Sequence, residues 1–214
     1  MLTLFGNLDS GNVHKVQMVL RFRDLAFQRV DVRQDRGQPR DPRYLRLCPT
    51  GKVPAVLLED GDLLSESGAL LFYFARDTRL WPATSREQAE VLRWMFFEQY
   101  SHEPALAVLR YLKLFADPAE LSASRIEELE TKSQFVLDVL NRQLLTCDWI
   151  ATCGPTIADF ALYPYTRLSE EIGLDIARWP ALSGWLGRIK KNWKFQACSK
   201  RSRGSAVIRN STAC

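Results

Sequence analysis

Three short segments in the first third of the chain carry residue types that could do chemistry together. Ser10, Gly11 and Asn12 follow a short apolar run and precede a stretch with helical spacing. A hydroxyl there sits at the positive end of a helix dipole, beside backbone N–H groups that lack intrahelical partners, and could help to hold an anion. The same residues could equally act only as a helix N-cap. In the second segment, Gly51, Lys52, Val53, Pro54, Ala55 and Val56, a proline stands just ahead of an apolar strand. Proline has no N–H for a ladder, and bonds before proline are where cis peptides occur. A cis bond would turn the Val53 N–H and C=O outward to pair with an extended peptide as an added strand; the other reading is a plain turn. The third segment is Ser65, Glu66, Ser67 and Gly68, at the start of another helical stretch. Its N–H groups and the Ser67 hydroxyl could hold a carboxylate, with Glu66 holding an ammonium, or it is a cap with an acid in its first turn. Together the three describe an activating hydroxyl, a backbone strand partner and an amino-acid clamp. The matching ligand is a short peptide with a free α-amino acid end and a thiol.

The elements that must position these residues follow from periodicity. Residues 2–5 read as a strand. Residues 12–22 carry Val13, Val16, Val19 and Leu20 at helical spacing, and 27–32 alternate as a second strand. Residues 35–42 are a charged loop, and 42–47 a short helix with proline at its start. Residues 53–58 and 62–64 form a hairpin about Asp60 and Gly61, and 65–75 are helical. The order βαβ then αββα predicts an α/β unit: a small mixed four-stranded sheet with helices on its faces. A linker over 77–84 contains Pro82, and no strand pattern follows it. Four helices are predicted beyond. The first spans 85–115, with Ser85 and Gln88 as a capping box. The second runs from Ser122 or Ser124 to about residue 145, with an apolar stripe of Ile126, Leu129, Phe135, Val136, Val139 and Leu140. The third and fourth span 156–172 and 180–191. The predicted organisation is therefore a sheet domain over 1–76, a linker over 77–84, an all-α domain over 85–195 and a basic, disordered tail over 196–214.

Composition narrows the function classes. The chain has 214 residues, 46% hydrophobic and 25% charged, an ordinary globular balance. Its net charge of +4 misleads, because residues 188–214 hold 8 bases and no acid while 1–187 hold 21 bases and 25 acids. The basic excess belongs to the end of the chain, so no nucleic-acid partner is expected of the folded part; the tail could bind an anionic surface. No run of about 18 apolar residues exists, so no membrane span is expected, and the start lacks a basic, apolar leader. Five scattered cysteines without a CxxC pair argue against a disulfide framework, a zinc site or a dithiol centre and favour the cytoplasm. Only His14 and His102 are present, so no histidine metal site is expected.

The runs LFGNLDSGNVHKV, CPTGKVPAV and ESGALLFYFA, with WMFFEQYSHEPALAVLRYL and GPTIADFALYPYT further on, resemble the cytosolic glutathione transferases, bacterial type. The resemblance extends from residue 1 to about 195. It implies a thioredoxin-like first domain, an all-α second domain, a homodimer, glutathione as co-substrate without a metal, and conjugation of its sulfur to small apolar electrophiles. Peroxide or disulfide reduction, dehalogenation, isomerisation and a non-catalytic binding or scaffold role occur on the same fold and stay open. Carried over residue by residue, Ser10 matches the hydroxyl near the glutathione sulfur and Asn12 the polar side chain beside it. Gln38 and Lys52 match contacts to the glycine end, Val53 before Pro54 the backbone pairing, and Glu66 and Ser67 the γ-glutamyl clamp. Thr156 and Asp159 match a buried, structural capping box. No cysteine stands at or next to Ser10, which disfavours chemistry through a protein thiol. Pro104 predicts a kink near Glu103, and Tyr100, His102 and Arg110 on that helix are the candidates for the electrophile pocket. Cys48 reads as a small buried residue, His14 as a partly exposed one, and Trp94, Met95, Phe96 and Phe97 as core and interface. The chemistry would be thiol activation. A free thiol has a pKa near 8.5, and lowering it by two units, about 2.7 kcal/mol, makes thiolate the dominant form at neutral pH.

Overall fold

The strand Leu2–Phe5 (β1) is buried at every position, which an apolar run achieves only in the centre of a sheet covered on both faces. In the computed structural model, which describes residues 1–33, 37–117 and 121–192, β1 pairs in parallel with β2 (Phe27–Val30) and antiparallel with β3 (Ala55–Leu57). β3 pairs antiparallel with β4 (Leu63–Ser65), giving the order β2-β1-β3-β4. Helix α1 (Gly11–Phe22) makes the crossover that a parallel pair requires and buries Val13, Val16, Val19 and Leu20. Helix α2 (Pro42–Leu47) is capped by Asp41, whose carboxylate accepts from the Arg43 N–H at 2.8 Å. Helix α3 (Ser67–Ala75) buries Leu70, Leu71 and Phe74. Strands β2 and β3 are shorter than the sequence pattern suggests. β3 begins only after Pro54, which has no N–H to offer a ladder.

The rest of the described chain is helical: α4 (Ser85–Phe97), α5 (Glu103–Leu114), α6 (Ala123–Leu144), α7 (Ile157–Arg167) and α8 (Pro180–Asn192). The single helix expected over 85–115 is two helices joined by a π turn over Glu98–His102. Pro104 has no N–H, and its ring crowds the preceding turn, so the wider turn absorbs it. The cap of α4 is Thr84 rather than Ser85. Its hydroxyl accepts from the Glu87 N–H at 3.3 Å and donates to the Glu87 carboxylate at 2.7 Å. On α6 the buried face is Leu129, Ser133, Val136, Leu137, Leu140 and Leu144. Phe135 lies about 100° round the helix from Val136 and is 58% exposed, so it leaves the predicted stripe. Helix α7 ends at Arg167 and continues as a 3₁₀ turn over Leu168–Ile172. Trp94 is buried and Phe96 exposed, with Met95 and Phe97 half-buried between. The tail over 196–214 lies outside the described residues.

Helix α7 is the seam between the two units, buried at ten consecutive positions from Ile157 to Thr166 and packed along α1. Its first turn carries the predicted capping box. The buried Asp159 carboxylate accepts from the Thr156 N–H (2.8 Å) and hydroxyl (3.3 Å), the Ile150 N–H (3.1 Å) and the Trp185 indole (2.9 Å). Four donors offset its burial and tie α7 to α8 and to the preceding loop.

Candidate active site

The N-terminus of α1 opens toward that seam. Ser10 is its N-cap in extended conformation, and the Ser10 Oγ accepts from the Val13 N–H at 3.3 Å. Gly11 has a reason to be glycine. A Cβ there would lie 2.7, 2.8 and 2.9 Å from Cζ, Cε1 and Cε2 of Tyr165, below any normal contact. The phenol end of Tyr165, from α7, thus rests directly on the first turn of α1 and interacts with the Ser10 side chain and the Asn12 backbone. Burial pushes this phenol up to about 12, so it stays protonated at neutral pH. The Asn12 carboxamide donates from Nδ2 to Oε1 of Glu103 at 3.2 Å and accepts at Oδ1 from the Ser67 hydroxyl at 3.5 Å.

Two cavities meet at this point. A polar one of about 190 Å³ is lined by Thr50, Lys52, Pro54, Glu66, Ser67 and Gln99, among others. A second, of about 230 Å³, is more apolar and has Ser10, Ala107, Val108, Arg110, Tyr111, Phe115 and Tyr165 in its wall. Asn12, Val53 and Glu103 line both. The Val53–Pro54 peptide bond is cis. The Tyr44 hydroxyl donates to the Lys52 carbonyl at 2.7 Å and anchors the segment before it. Cys48 is buried there against Thr50 and the Lys52 carbonyl, as a small packing residue would be. Glu66 has φ 68°, a left-handed conformation that a residue with a side chain rarely adopts and that occurs at ligand clamps. It leads into α3, with the Glu66 carbonyl accepting the Leu70 N–H.

The structure gathers Ser10, Asn12, Lys52, Val53, Pro54, Glu66 and Ser67 around these cavities and leaves other candidates elsewhere. Gln38 is exposed on a 3₁₀ turn. Its side-chain carbonyl accepts from the Arg33 N–H at 2.7 Å, and it lines neither cavity. Of the electrophile-pocket candidates only Arg110 reaches the wall. It donates from Nε and Nη2 to Glu171 and from Nη1 to the Asp9 carbonyl at 2.9 Å. Tyr100 is corrected to an exposed position at 87%. His102 is corrected to a fully buried one: its Nε2 meets the Thr166 hydroxyl at 2.8 Å. The cause is the π turn, whose extra residue rotates the inner and outer faces relative to a regular helix. Burial and then the Lys15 charge lower the His102 pKa to about 3, so the ring is neutral. His14 is half-buried, edge-on to Tyr163 at 6.3 Å, and burial first, then Arg167 and Arg21, lower it to about 4. Among the described residues no group of three or more His, Cys, Asp or Glu could hold a metal ion, and no helix is long and apolar enough to cross a membrane.

Three participants escape sequence reasoning. Tyr165 lies within a family-like segment, but nothing local announces that it covers Gly11. Glu103 stands at the predicted kink, and that kink was the available signal. The buried ion pair between Lys15 and Glu98 (2.6 Å) joins α1 to the π turn and has no local signature.

A sheet unit that presents a helix N-terminus, a cis Val–Pro turn and a Glu–Ser helix start to a helical unit defines a class of protein. Residues 1–76 match the family described as "Glutathione S-transferase, N-terminal domain", and residues 96–191 that described as "Glutathione S-transferase, C-terminal domain". The chain belongs to the glutathione S-transferase family. It is 30% identical over 186 residues to the disulfide-bond oxidoreductase YfcG of Escherichia coli strain K12, covering 84% of this chain and 86% of that one. It is 32% identical over 175 residues to glutathione S-transferase F10 of Arabidopsis thaliana, covering 78% and 80%. Its fold superposes on the crystal structure of a glutathione S-transferase from Xanthobacter autotrophicus Py2 with a TM-score of 0.84 at 38% identity, over 89% of this chain and 93% of the other.

Proposed function

We propose that the chain binds glutathione across the seam, stabilises its thiolate at Ser10 and Asn12, and transfers the sulfur to a small electrophile. The observation that carries this reading is the meeting of two unlike cavities at Asn12, Val53 and Glu103, with Ser10 on the rim. The polar cavity suits a peptide with charged ends: Lys52 for its far carboxylate, Glu66 and Ser67 for its amino-acid head. The more apolar one suits the second substrate. The sulfur then lies at the junction, where the Ser10 hydroxyl, an Asn12 N–H and the start of α1 favour the charged form. The protein contributes orientation and preorganised donors, with no nucleophile of its own.

The names of the relatives support a glutathione enzyme and favour a second reaction as well. In that reaction the bound thiolate attacks a disulfide, forms a mixed disulfide with one sulfur and releases the other as thiol. A cytoplasmic homodimer belongs to the same reading. The apolar groove of Phe72, Trp81, Leu92, Met95 and Phe96, on α3, α4 and the segment between them, offers a face for it.

Retention on glutathione resin and turnover of a chlorinated nitroaromatic and of a small dialkyl disulfide test this reading. The rate is measured against pH in wild type and Ser10→Ala. A hydrogen bond to a charged group contributes about 1.5–3 kcal/mol, so the pH midpoint of the variant should rise by about 1–2 units. An unchanged profile and rate would remove Ser10 from its role. Failure to bind the resin, with neither substrate turned over, would leave a non-catalytic member of the family.

A further inference from the structure

Glu103 is the one carboxylate among the described lining residues that faces both cavities, and the reaction outlined above gives it no task. It is the first residue of α5, directly after the π turn. Its two oxygens are separately engaged: Oε1 accepts from the Asn12 Nδ2 at 3.2 Å and Oε2 from the Gln99 Nε2 at 3.2 Å. On its other side the Asn12 carboxamide accepts the Ser67 hydroxyl at Oδ1. A carboxamide turned over by 180° would set Oδ1 against the Glu103 carboxylate, two acceptors face to face, and Nδ2 toward Ser67. Glu103 therefore decides which end of Asn12 points where. With one Nδ2 hydrogen committed to Glu103, the second is left for a ligand atom at the junction of the cavities.

We propose that Glu103 is a positioning residue that holds the Asn12 N–H toward the sulfur of a bound thiol. The proposal rests on the glutathione reading above. It also carries an internal opposition. A carboxylate near the junction disfavours a thiolate by its charge, while the orientation it imposes on Asn12 favours one. Glutamine at 103 keeps an acceptor oxygen for Asn12 and drops the charge; alanine drops both. The two substitutions thus separate the effects.

The first measurement uses ligand-free protein. Chemical denaturation of wild type, Glu103→Ala, Asn12→Ala and the double variant forms a cycle, and the two substitutions should be non-additive. The second titrates the thiol of bound glutathione by its thiolate absorbance against pH. Glu103→Ala, which loses the orientation but also the opposing charge, should raise the midpoint by less than Asn12→Ala, with the double variant no higher than Asn12→Ala alone. Glu103→Gln should stay at or below the wild-type midpoint. A purely structural role for Glu103 would not give opposite responses to alanine and glutamine. The assignment is overturned if the ligand-free cycle is additive, or if Glu103→Ala and Glu103→Gln leave bound glutathione with the same midpoint. If wild type binds no glutathione, the functional reading fails alone, and the ligand-free cycle still decides whether Glu103 holds Asn12.

Discussion

One absent methyl group controls how close the helical unit comes to the start of α1. With an alanine at position 11 the new Cβ would sit 2.7 Å from Cζ of Tyr165, and that ring is 8% exposed with little room to move. The expected cost of Gly11→Ala is that of overpacking, about 1–3 kcal/mol, read as a lower denaturation midpoint. The phenol would also be displaced from Ser10, so glutathione turnover should fall with it. Tyr165→Ala in the same background should remove most of the added stability cost, because the clash has gone. Wild-type stability of Gly11→Ala would show that the ring approaches α1 differently. In the sequence, Ser10 is legible as a cap because capping is a local property of a helix start. Gly11 is not, because the atom that forbids a side chain belongs to a residue in the other domain.

At the scale of elements, the π turn determines which groups face inward. The chain enters it from α4 with Glu98 turned to α1 and leaves it with Glu103 turned to the cavities, while Tyr100 goes to solvent. Glu98 meets Lys15 with both side chains almost wholly buried, at 5% and 1% exposure. Burial first, and the Glu103 charge with it, raise the Glu98 pKa, and the Lys15 charge and hydrogen bond oppose that rise. Removing one member strands a buried charge and costs about 3–5 kcal/mol, whereas replacing both by apolar residues of similar size can be neutral. Lys15→Met should therefore destabilise the chain by that order, and Lys15→Met with Glu98→Leu should recover most of the loss. Denaturant midpoints of the singles and the pair measure it; a double variant worse than both singles would exclude the compensation. The order of strands and helices is legible because periodicity changes from alternation to helical spacing at each boundary. The helical unit is legible as helical, but neither in number of helices, four expected against five, nor in facing. Periodicity treats 85–115 as one regular helix, and a single extra residue in the turn moves His102 into the core. The ion pair is invisible because Lys15 and Glu98 each look like an ordinary charge on an amphipathic helix.

For the molecule as a whole, the seam between the units holds both histidines of the chain in their neutral form. His14 of α1 lies against Tyr163 of α7, near Arg21 and Arg167, and is lowered to about 4. His102 lies between Thr166 of α7 and the Lys15–Glu98 pair and is lowered to about 3. In the unfolded chain each titrates near 6.5. Above that pH neither state takes a proton, and the stability is fully present. Below it the unfolded chain takes up protons that the folded chain refuses, so stability is lost as pH falls from about 6.5 toward about 4 and 3. Each histidine contributes a slope of about 1.4 kcal/mol per pH unit in that window. Glu98 and Asp159, both raised by burial, work the other way where they protonate, so the histidine share is read as the difference between wild type and His102→Gln from pH 6 to 5. Over that interval the two histidines together should lower the unfolding free energy by up to about 3 kcal/mol. His102→Gln, whose amide can still donate to Thr166, should lose about half of that slope. Equal slopes for wild type and His102→Gln between pH 6 and 5, measured by denaturant titration, would mean that the seam admits protons and that His102 is not held neutral within it.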